Sequence, residues 1–543
     1  MGKPLEEPLS RETLPLTLAC VFALAGAIPA RAQDGGPGSS LAASLDQLRA
    51  GRAIRVAGAV IEPSRELIAL YGTSTVPIWS AEAATSLSVA IRASVHDGLT
   101  PDHYHAQSLG ERTPVAGARD PALDLLRTDA LVRLARDLRN GRGRPTAEAR
   151  AASPVADAEA LVPILQRAIA TGDVGGVLSS LRPQHFIYRG LMASLARLRG
   201  VEAGGGWALI PAGPSMRRDS SDARVPLLRA RLRHSGDLDP TAAASGSRRF
   251  DRDLEDAVKR FQHRHGLNED GIAGPRTLAA LNVPVGERIA TVRVNLERAR
   301  WLARDLPERF VVVNIAGARV YVLDAGDVRF ETRAIVGKTA TGTPIFTANM
   351  QRIELNPTWT VPRSINGEIL SSIRRNPDYL AREGMRVLTN AGREVPRGSI
   401  DYGSYTGRSF PYVFRQDPGP ANALGRIKLL FPNAFNVYLH DTPARGLFSQ
   451  EQRLFSHGCV RVENPVALAA LVLDDPDWSV DALEAAIATG RTRVIAVRRP
   501  LPVMILYWTA SADLHSELHF YPDVYGRDDA ILDVLDRSQA SAD

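Results

Sequence analysis

Apolar positions in the first part of the chain recur with the spacing of α-helices. Between residues 41 and 198 the sequence is rich in Ala, Leu and Arg. One apolar face there is formed by Leu125, Ala130, Leu131, Leu134, Ala135 and Leu138. The spacing predicts a helical domain at 41–215, whose last part is a glycine- and proline-rich connector.

A second helical pattern follows the connector. Its apolar residues fall at i, i+3, i+4 and i+7, in the order Leu254, Ala257, Val258 and Phe261. A glycine-rich turn and Pro275, a residue typical of a first helical position, begin another helix. These features predict a small helical module at 225–285.

Beyond residue 308 the pattern changes to that of β-strands. β-branched and alternating runs predict strands at 310–315, 319–323, 328–336, 356–362, 435–440, 494–497 and 503–508. Asn464 and Pro465 begin an apolar helix at 466–473, with Asn464 as the N-cap. The long polar segment at about 363–425 is typical of a functional lid or a disordered insertion. We therefore expect a mostly-β domain at 308–500 that contains this insertion, and a C-terminal extension at 501–543.

Length and charge narrow the class of protein. A chain of 543 residues is expected to form three or four domains. The formal net charge of +6 is a mild bias, compatible with weak attraction to an anionic polymer. No basic cluster with interleaved aromatic residues occurs in the sequence, so no nucleic-acid partner is predicted.

The N-terminus has the pattern of a signal peptide. Lys3 and Arg11 precede an apolar run at 14–29, and Ala30-Arg31-Ala32 is an A-x-A cleavage site. We expect residues 1–32 to be removed after Ala32 and the protein to be periplasmic; the alternative is an uncleaved anchor. Cys20 leaves with this segment. A single cysteine in an exported chain suggests a functional thiol.

That remaining cysteine is Cys459, and two histidines accompany it. His440 ends a predicted strand, and His457 lies two residues before Cys459. A cysteine becomes a nucleophile as the thiolate, which requires a nearby proton acceptor or positive charge. Gly458 permits a tight turn and offers its N–H group to an oxyanion. A zinc site and a buried structural cysteine are the alternatives.

The wider sequence resembles a known family. His440 together with Ser456-His457-Gly458-Cys459-Val460-Arg461 resembles the signature of L,D-transpeptidases with a YkuD-type catalytic domain. The runs within 422–443, and Arg461 where many smaller members have Asn, resemble the large multidomain branch. Residues 41–215 resemble that branch's helical scaffold domain, and 225–285 its three-helix peptidoglycan-binding module. The large members also carry a substrate-capping subdomain at the place of the insertion at about 363–425, so we interpret the insertion as a lid. The implied fold class is therefore α+β and multidomain.

The resemblance implies roles for individual residues. Cys459 would be the nucleophile and His440 the base, its ring oriented by an adjacent backbone carbonyl, here that of Asp441. The N–H groups of His457, Gly458 and Cys459 would line the oxyanion side. The residues expected to bind substrate are Arg461, Ser456, Tyr438 and Asp441, with Arg461 holding a carboxylate; the alternative for Arg461 is a structural ion pair. We also expect His440→Ala, but not His457→Ala, to raise the pH midpoint of Cys459 alkylation.

The implied reaction is cleavage of the L,D bond between residues three and four of a tetrapeptide stem. D-alanine leaves, and the acyl-enzyme passes to an amine of a neighbouring stem, giving a 3→3 cross-link, or to a lipoprotein lysine. The expected partners are peptidoglycan stem peptides and glycan, carbapenems as covalent inhibitors, and other cell-wall enzymes. No metal or organic cofactor is expected. The alternatives are an L,D-carboxypeptidase or cysteine hydrolase, and a catalytically silent scaffold.

Overall fold

The computed structural model describes residues 33–34, 40–110, 120–143, 161–239, 241, 246–302 and 306–537. The predicted signal peptide at 1–32 lies outside these residues. Within the described part of the chain, no helix is both long and apolar enough to cross a bilayer.

The N-terminal region is a helical domain with a small sheet. Its elements are β1 (Gln33–Asp34), α1 (Leu41–Arg49), β2 (Ile54–Val56), β3 (Ala59–Ile61), α2 (Arg65–Tyr71), α3 (Ala81–Ala93), α4 (Ala106–Gly110), α5 (Pro121–Asn140), α6 (Val162–Thr171), α7 (Val174–Ser180) and α8 (Phe186–Ala203). Several helices begin at a side chain that accepts a backbone N–H, namely Ser40, Ser64, Ser80 and Asp120. The apolar face predicted on α5 is buried in the core of this domain.

The small module contains three helices, as the sequence predicted. They are α9 (Val225–His234), α10 (Arg252–Arg264) and α11 (Pro275–Leu281). Asp251 caps α10 by accepting the N–H of Leu254, and Pro275 occupies the first turn of α11. The apolar face of α10 packs in a core of its own. A long helix, α12 (Val285–Leu302), leads from the module to the C-terminal region.

The C-terminal region is built on one large sheet. Its strands are β4 (Arg309–Asn314), β5 (Arg319–Asp324), β6 (Asp327–Gly337), β7 (Phe346–Leu355), β12 (Ile427–Leu430), β13 (Leu439–His440), β14 (Leu454–Ser456), β15 (Val460–Val462) and β16 (Arg493–Leu506). The order is β14-β6-β15-β13-β12-β7-β16-β4-β5, and β5 also pairs with β6. The sheet thereby closes on itself around an apolar core, which α15 (Pro465–Leu473) and α16 (Val480–Ala488) also contact.

The segment at 363–425 is an ordered subdomain rather than a disordered insertion. It contains α13 (Asn366–Arg375), α14 (Tyr379–Arg382), β9 (Met385–Leu388), β10 (Glu394–Val395) and β11 (Val413–Gln416). These strands form a sheet with β8 (Trp359–Thr360), in the order β10-β9-β11-β8. The subdomain has a separate apolar core that includes Phe410 and Phe414. We call residues 363–425 the lid.

Three strand predictions were wrong in extent. The strand predicted at 356–362 is present only as β8 (Trp359–Thr360), because Asn356 has a φ of 47° and ends the preceding strand. The predicted strand at 435–440 is paired only at Leu439–His440, because Asn436 has a φ of 56° and the Asn433 side chain holds the preceding turn. The strands predicted at 494–497 and 503–508 are one strand, β16. Its register shifts between Ala496 and Leu501, so the proline within that interval falls where a ladder N–H is not needed.

The chain after residue 500 belongs to the same core as the sheet. β16 continues to Leu506, and a hairpin of β17 (Ala510–Ala512) and β18 (Leu518–Phe520) follows. Trp508 and Phe520 are buried with α8 and α12 in the large core. A final helix, α17 (Asp528–Asp536), buries Leu535 in the core of the N-terminal domain. The predicted boundary at 500 thus falls within a strand.

Candidate active site

A row of polar side chains crosses three adjacent strands of the large sheet. Lys428 on β12 lies opposite His440 on β13, and His440 lies opposite Arg461 on β15. Residues directly opposite one another in a sheet point to the same face. The flanking residues of these strands are buried on the other face, namely Ile427, Leu429, Leu439, Val460 and Val462. The alternation therefore directs the three polar residues outward, away from the apolar core.

Cys459 joins this outward face at the start of β15. It lies two residues before Arg461, and Tyr438 lies two residues before His440, so both share the outward direction. The Tyr438 hydroxyl faces the Cys459 thiol and lowers its pKa. The thiol also lies 3.8 Å from the backbone oxygen of Asn436. The nucleophile and base predicted from the sequence thus lie on neighbouring strands of one face.

The turn before Cys459 is fixed by side chains that flank it. Gly458 has a φ of 113°, a conformation that favours glycine. The Ser456 hydroxyl donates to the Cys459 carbonyl at 2.5 Å and accepts the Gly458 N–H at 3.1 Å. The Thr343 hydroxyl donates to the Gly458 carbonyl at 2.9 Å. The loop is therefore held in one geometry by buried hydroxyl groups.

His440 is anchored through a backbone carbonyl. Its Nδ1 donates to the Asp441 carbonyl oxygen at 2.6 Å. Because a carbonyl oxygen only accepts, this contact places the proton on Nδ1 and leaves Nε2 as the acceptor. The Asp441 carboxylate accepts the Arg426 N–H at 2.9 Å and contacts Arg445 at 3.1 Å. This carboxylate stabilises the loop after β13 and makes no Cys-His-Asp triad.

Burial and neighbouring cations keep the His440 ring neutral. Burial, then the charge of Arg461, lowers the pKa of His440 to about 3, although the bond to Asp441 opposes the shift and Lys428 adds to it. At neutral pH the ring can therefore accept a proton. Once protonated between two cations, it is a strong acid that readily releases the proton.

The Cys459 thiol is also neutral at rest. Burial raises its pKa, while Tyr438 and the charges of Lys428 and Arg461 oppose that shift. The sequence analysis expected an exposed thiolate whose titration depends on His440. The structure instead surrounds a protonated thiol with two cations and a hydroxyl group, so deprotonation accompanies attack.

The two cations in this row make no close ion pair, although Glu354 lies opposite Lys428 on β7 and its charge opposes the lowering of the Lys428 pKa by burial. No carboxylate of the described residues lies within ion-pair distance of Lys428 or Arg461, and the buried Arg461 Nε has no hydrogen-bond partner. The Lys428 Nζ lies 4.2 Å from the centre of the Tyr438 ring. Two cations beside a nucleophile, neither of them in a close ion pair, are suited to an anionic substrate.

Four predicted site residues have contacts that differ from those expected. The Gly458 N–H is already bonded to Ser456, so it is not free for an oxyanion. Ser456 is buried and holds the turn rather than substrate. The Asp441 carboxylate, as described above, bonds Arg426 and Arg445. The His457 Nε2 lies 2.7 Å from Glu368 Oε1, in the first turn of α13 of the lid.

The described residues contain no group of three or more His, Cys, Asp or Glu side chains able to hold a metal ion. Histidines also lie between helices of the N-terminal domain, where they make local contacts. His105 Nε2, for example, lies 2.6 Å from the buried Asp129 carboxylate.

Family models match three parts of the chain, one of which contains this site. Residues 308–495 match the family described as "L,D-transpeptidase catalytic domain", residues 65–195 match "Scaffold domain", and residues 221–281 match "Putative peptidoglycan binding domain". Residues 308–495 are a YkuD-type L,D-transpeptidase catalytic domain. The chain joins this domain to a scaffold domain and a peptidoglycan-binding domain.

Similar proteins carry related descriptions. A Haemophilus influenzae protein described as "Putative L,D-transpeptidase" is 35% identical over 219 residues, which are 40% of this chain and 44% of that protein. The match therefore spans less than half of this relative. An L,D-transpeptidase structure from Mycobacterium smegmatis has 16% identity, covers 37% of this chain and 58% of its own, and gives a TM-score of 0.19. One from Stackebrandtia nassauensis has 13% identity, covers 54% and 97%, and gives a TM-score of 0.23.

Sequence reasoning missed two residues of this L,D-transpeptidase domain. Lys428 could have been found from the sequence, because it is the polar position between Ile427 and Leu429 on a strand beside His440. Glu368 could not, because its contact with His457 joins segments 89 residues apart. Such a contact depends on how the lid packs on the sheet.

Proposed function

We propose that the protein is a peptidoglycan L,D-transpeptidase that forms 3→3 cross-links through a Cys459 acyl-enzyme. The observation that carries this proposal is the register of β13 and β15, which directs Cys459 and a neutral His440 to the same outward face. A thiol and a neutral imidazole suit acyl transfer, because one ring can serve as base and then as acid.

In the first step, the Cys459 sulfur attacks the carbonyl carbon of stem residue three. The thiol proton passes to His440 Nε2 as the S–C bond forms. The negative charge on the carbonyl oxygen is stabilised by the N–H groups of His457 and Cys459. The C–N bond to residue four then breaks, and the proton on His440 passes to the departing amine of D-alanine.

In the second step, the amine of a neighbouring stem attacks the thioester. His440 Nε2 takes a proton from that amine, the C–S bond breaks, and the proton returns to the cysteine sulfur. The product contains the new amide bond. Attack by water in place of the amine would give an L,D-carboxypeptidase.

Lys428 and Arg461 support recognition of an anionic stem. Stem peptides carry carboxylates, and neither cation has a carboxylate partner among the described residues. Arg461 can donate two parallel hydrogen bonds to a carboxylate, and Lys428 adds a point charge. We expect Tyr438, which faces the thiol, to donate to the same substrate.

A periplasmic location completes the proposal. The sequence of residues 1–32 supports export with cleavage after Ala32, and the peptidoglycan-binding domain supports a place at the wall. N-terminal sequencing of the protein recovered from periplasmic extract should begin at Gln33. Recovery of the uncleaved chain in membranes would instead indicate an anchor.

The reaction is tested by mass spectrometry of muropeptides. The purified mature protein, incubated with tetrapeptide-containing muropeptides, should release D-alanine and form dimers linked between third residues. Cys459→Ala should retain the fold by circular dichroism yet form no dimers and no covalent carbapenem adduct. Trimmed monomers without dimers would indicate a carboxypeptidase. No product together with no adduct on Cys459 would indicate a silent scaffold.

A further inference from the structure

A groove lies between the peptidoglycan-binding domain and the catalytic sheet, apart from Cys459. It consists of two cavities of about 410 and about 290 Å³, which share Gly266, Leu267 and Arg453 in their walls. Cavities that hold small ligands are typically of this size. One wall is the loop after α10 in the peptidoglycan-binding domain, and the other is formed by β5, β6 and the segment before β14.

The two cavities differ in chemistry. The first is lined by balanced charges, namely Arg319, Arg333 and Arg453 with Glu269, Glu331 and Glu463. Arg333 and Glu463 form a two-point ion pair at 2.9 and 2.6 Å. The second is mainly apolar, with walls formed by Leu267, Ala316, Ala318, Leu454, Pro522 and Val524. The groove therefore offers donors and acceptors beside an apolar surface, without a strong net charge.

We propose that this junction groove binds the glycan strand of peptidoglycan, an inference that rests on the proposed function. Sugar rings present hydroxyl groups at their edges and apolar C–H groups on their faces, which match the two cavities. A free stem peptide carries several carboxylates, and a charge-balanced groove gives it no electrostatic advantage. The proposed function assigns the stem peptide to Lys428 and Arg461, so the glycan is the part of peptidoglycan that still needs a binding site.

The position of the groove relative to Cys459 agrees with binding of a glycan strand. Glu463 lies four residues after Cys459 along β15, and its N–H still pairs with the Arg333 carbonyl at 3.0 Å. At about 3.3 Å per residue, the two are ~13 Å apart along the strand. Three extended stem residues span ~10 Å. A glycan can therefore present its own stem to the cysteine from the end of the groove nearest Cys459, about 3 Å closer than Glu463.

Contacts between domains hold the two walls together. Glu269 of the peptidoglycan-binding domain lies 3.4 Å from Arg319 of β5, and Arg276 forms an ion pair with Glu451. Glu451 lies a few residues before the loop that carries Cys459. The groove is thus a shared surface, and its shape depends on both domains.

Glycan binding is tested on the mature chain carrying Cys459→Ala, which separates binding from chemistry. The probe is a peptide-free glycan oligomer, prepared by removing all stems from peptidoglycan, and affinity is measured by isothermal titration calorimetry. Asn268→Trp places a large side chain on the exposed groove loop. Arg252→Trp is the matched control, at an exposed position of α10 outside the groove. A second variant, Arg333→Gln with Glu463→Gln, removes one ion pair from the other wall.

We expect Asn268→Trp and the double variant each to weaken glycan binding at least tenfold, while Arg252→Trp binds as the parent does. With Cys459 restored, turnover of glycan-linked stems should fall at least tenfold relative to turnover of free tetrapeptides. Unchanged glycan affinity in both groove variants would overturn the proposal, as would tighter binding of free tetrapeptide than of glycan to the groove. Loss of transpeptidation with glycan binding intact would refute the proposed function alone.

Discussion

The titrations of individual residues follow from the polar row on the sheet. His440 lies between Lys428 and Arg461, so both cations oppose its protonation. The same cations favour the thiolate of Cys459, whose pKa burial raises. One pair of charges thus keeps the ring unprotonated and aids loss of the thiol proton, while it also makes the ring a weaker base.

Replacing Arg461 should move the acid limit of catalysis to higher pH. The pKa of His440 is about 3, and Arg461 is its largest charged cause after burial. In Arg461→Gln that pKa rises, so the inactive protonated ring appears at higher pH. Lys428→Gln should have a smaller effect. Carbapenem acylation rates from pH 3 to 8 measure the shift, and identical acid limits in all three proteins would contradict it.

The same depressed pKa links folding to pH. The pKa of histidine is about 6.5 in an unfolded chain, so between that value and about 3 the folded state binds fewer protons at His440. The contribution of His440 to stability is therefore present above pH ~6.5 and is lost as the pH falls toward 3. Denaturant unfolding of Cys459→Ala, with and without Arg461→Gln, isolates this effect from turnover.

The hydroxyl of Tyr438 should set the titration of the thiol more than His440 does. It lowers the pKa of Cys459 against the effect of burial. Tyr438→Phe should therefore raise the pH midpoint of alkylation by iodoacetamide, whereas His440→Ala should remain nearer to wild type. This reverses the expectation drawn from the sequence for His440. A larger shift in His440→Ala than in Tyr438→Phe would restore the original assignment.

At the scale of elements, one contact connects the lid to the catalytic loop. His457 and Glu368 are 28% and 60% exposed, and such surface pairs contribute about 0.2–1 kcal/mol. Glu368→Gln should therefore weaken closure by at most ~5-fold. The expected result is a higher KM for muropeptides with little change in small-carbapenem acylation. Glu383→Gln, elsewhere on the lid, is the control; equal effects of the two variants would argue against a specific contact.

Helices and strands were predicted correctly where their sequence pattern depends only on neighbouring residues. Apolar spacing located α10 and the first three strands of the sheet, and the proline and Asn before α15 located its start. Asn464, however, does not cap that helix, because its amide donates to Thr332 Oγ1 at 3.2 Å. The early end of β13 and the continuity of β16 depend on side-chain bonds and strand pairing that spacing does not encode.

The candidate site likewise contains residues that the sequence predicted and contacts that it did not. The resemblance of the motif around Cys459 was enough to select Cys459, His440 and Arg461, although the strand β15 that aligns them was not predicted. The contacts of Ser456 and His457 were not predictable, because each depends on which groups the folded loop brings within hydrogen-bond distance. Roles for individual N–H groups therefore required the structure.

At the scale of the whole molecule, the peptidoglycan-binding domain packs against the C-terminal region and is not joined to it by the chain alone. Arg264 of α10 is buried against Asp237 at 2.5 Å, and it donates to the Leu518 carbonyl of β18 at 2.5 Å. Arg264→Met leaves the Asp237 carboxylate buried without its partner, which typically costs about 3–5 kcal/mol. Calorimetry should show a separate, earlier transition for this domain. Arg252→Gln is the exposed control, and a single unchanged transition would contradict docking through Arg264.

The last helix gives the chain a particular order of assembly. Leu535 of α17 is buried among the side chains of the N-terminal domain. Synthesis proceeds from the N-terminus, so the first domain is made before the residues that complete its interior. Its core is therefore complete only after the catalytic region has been synthesised. A chain cut short before residue 528 would lack Leu535, leaving that core incomplete and the product more open to proteolysis.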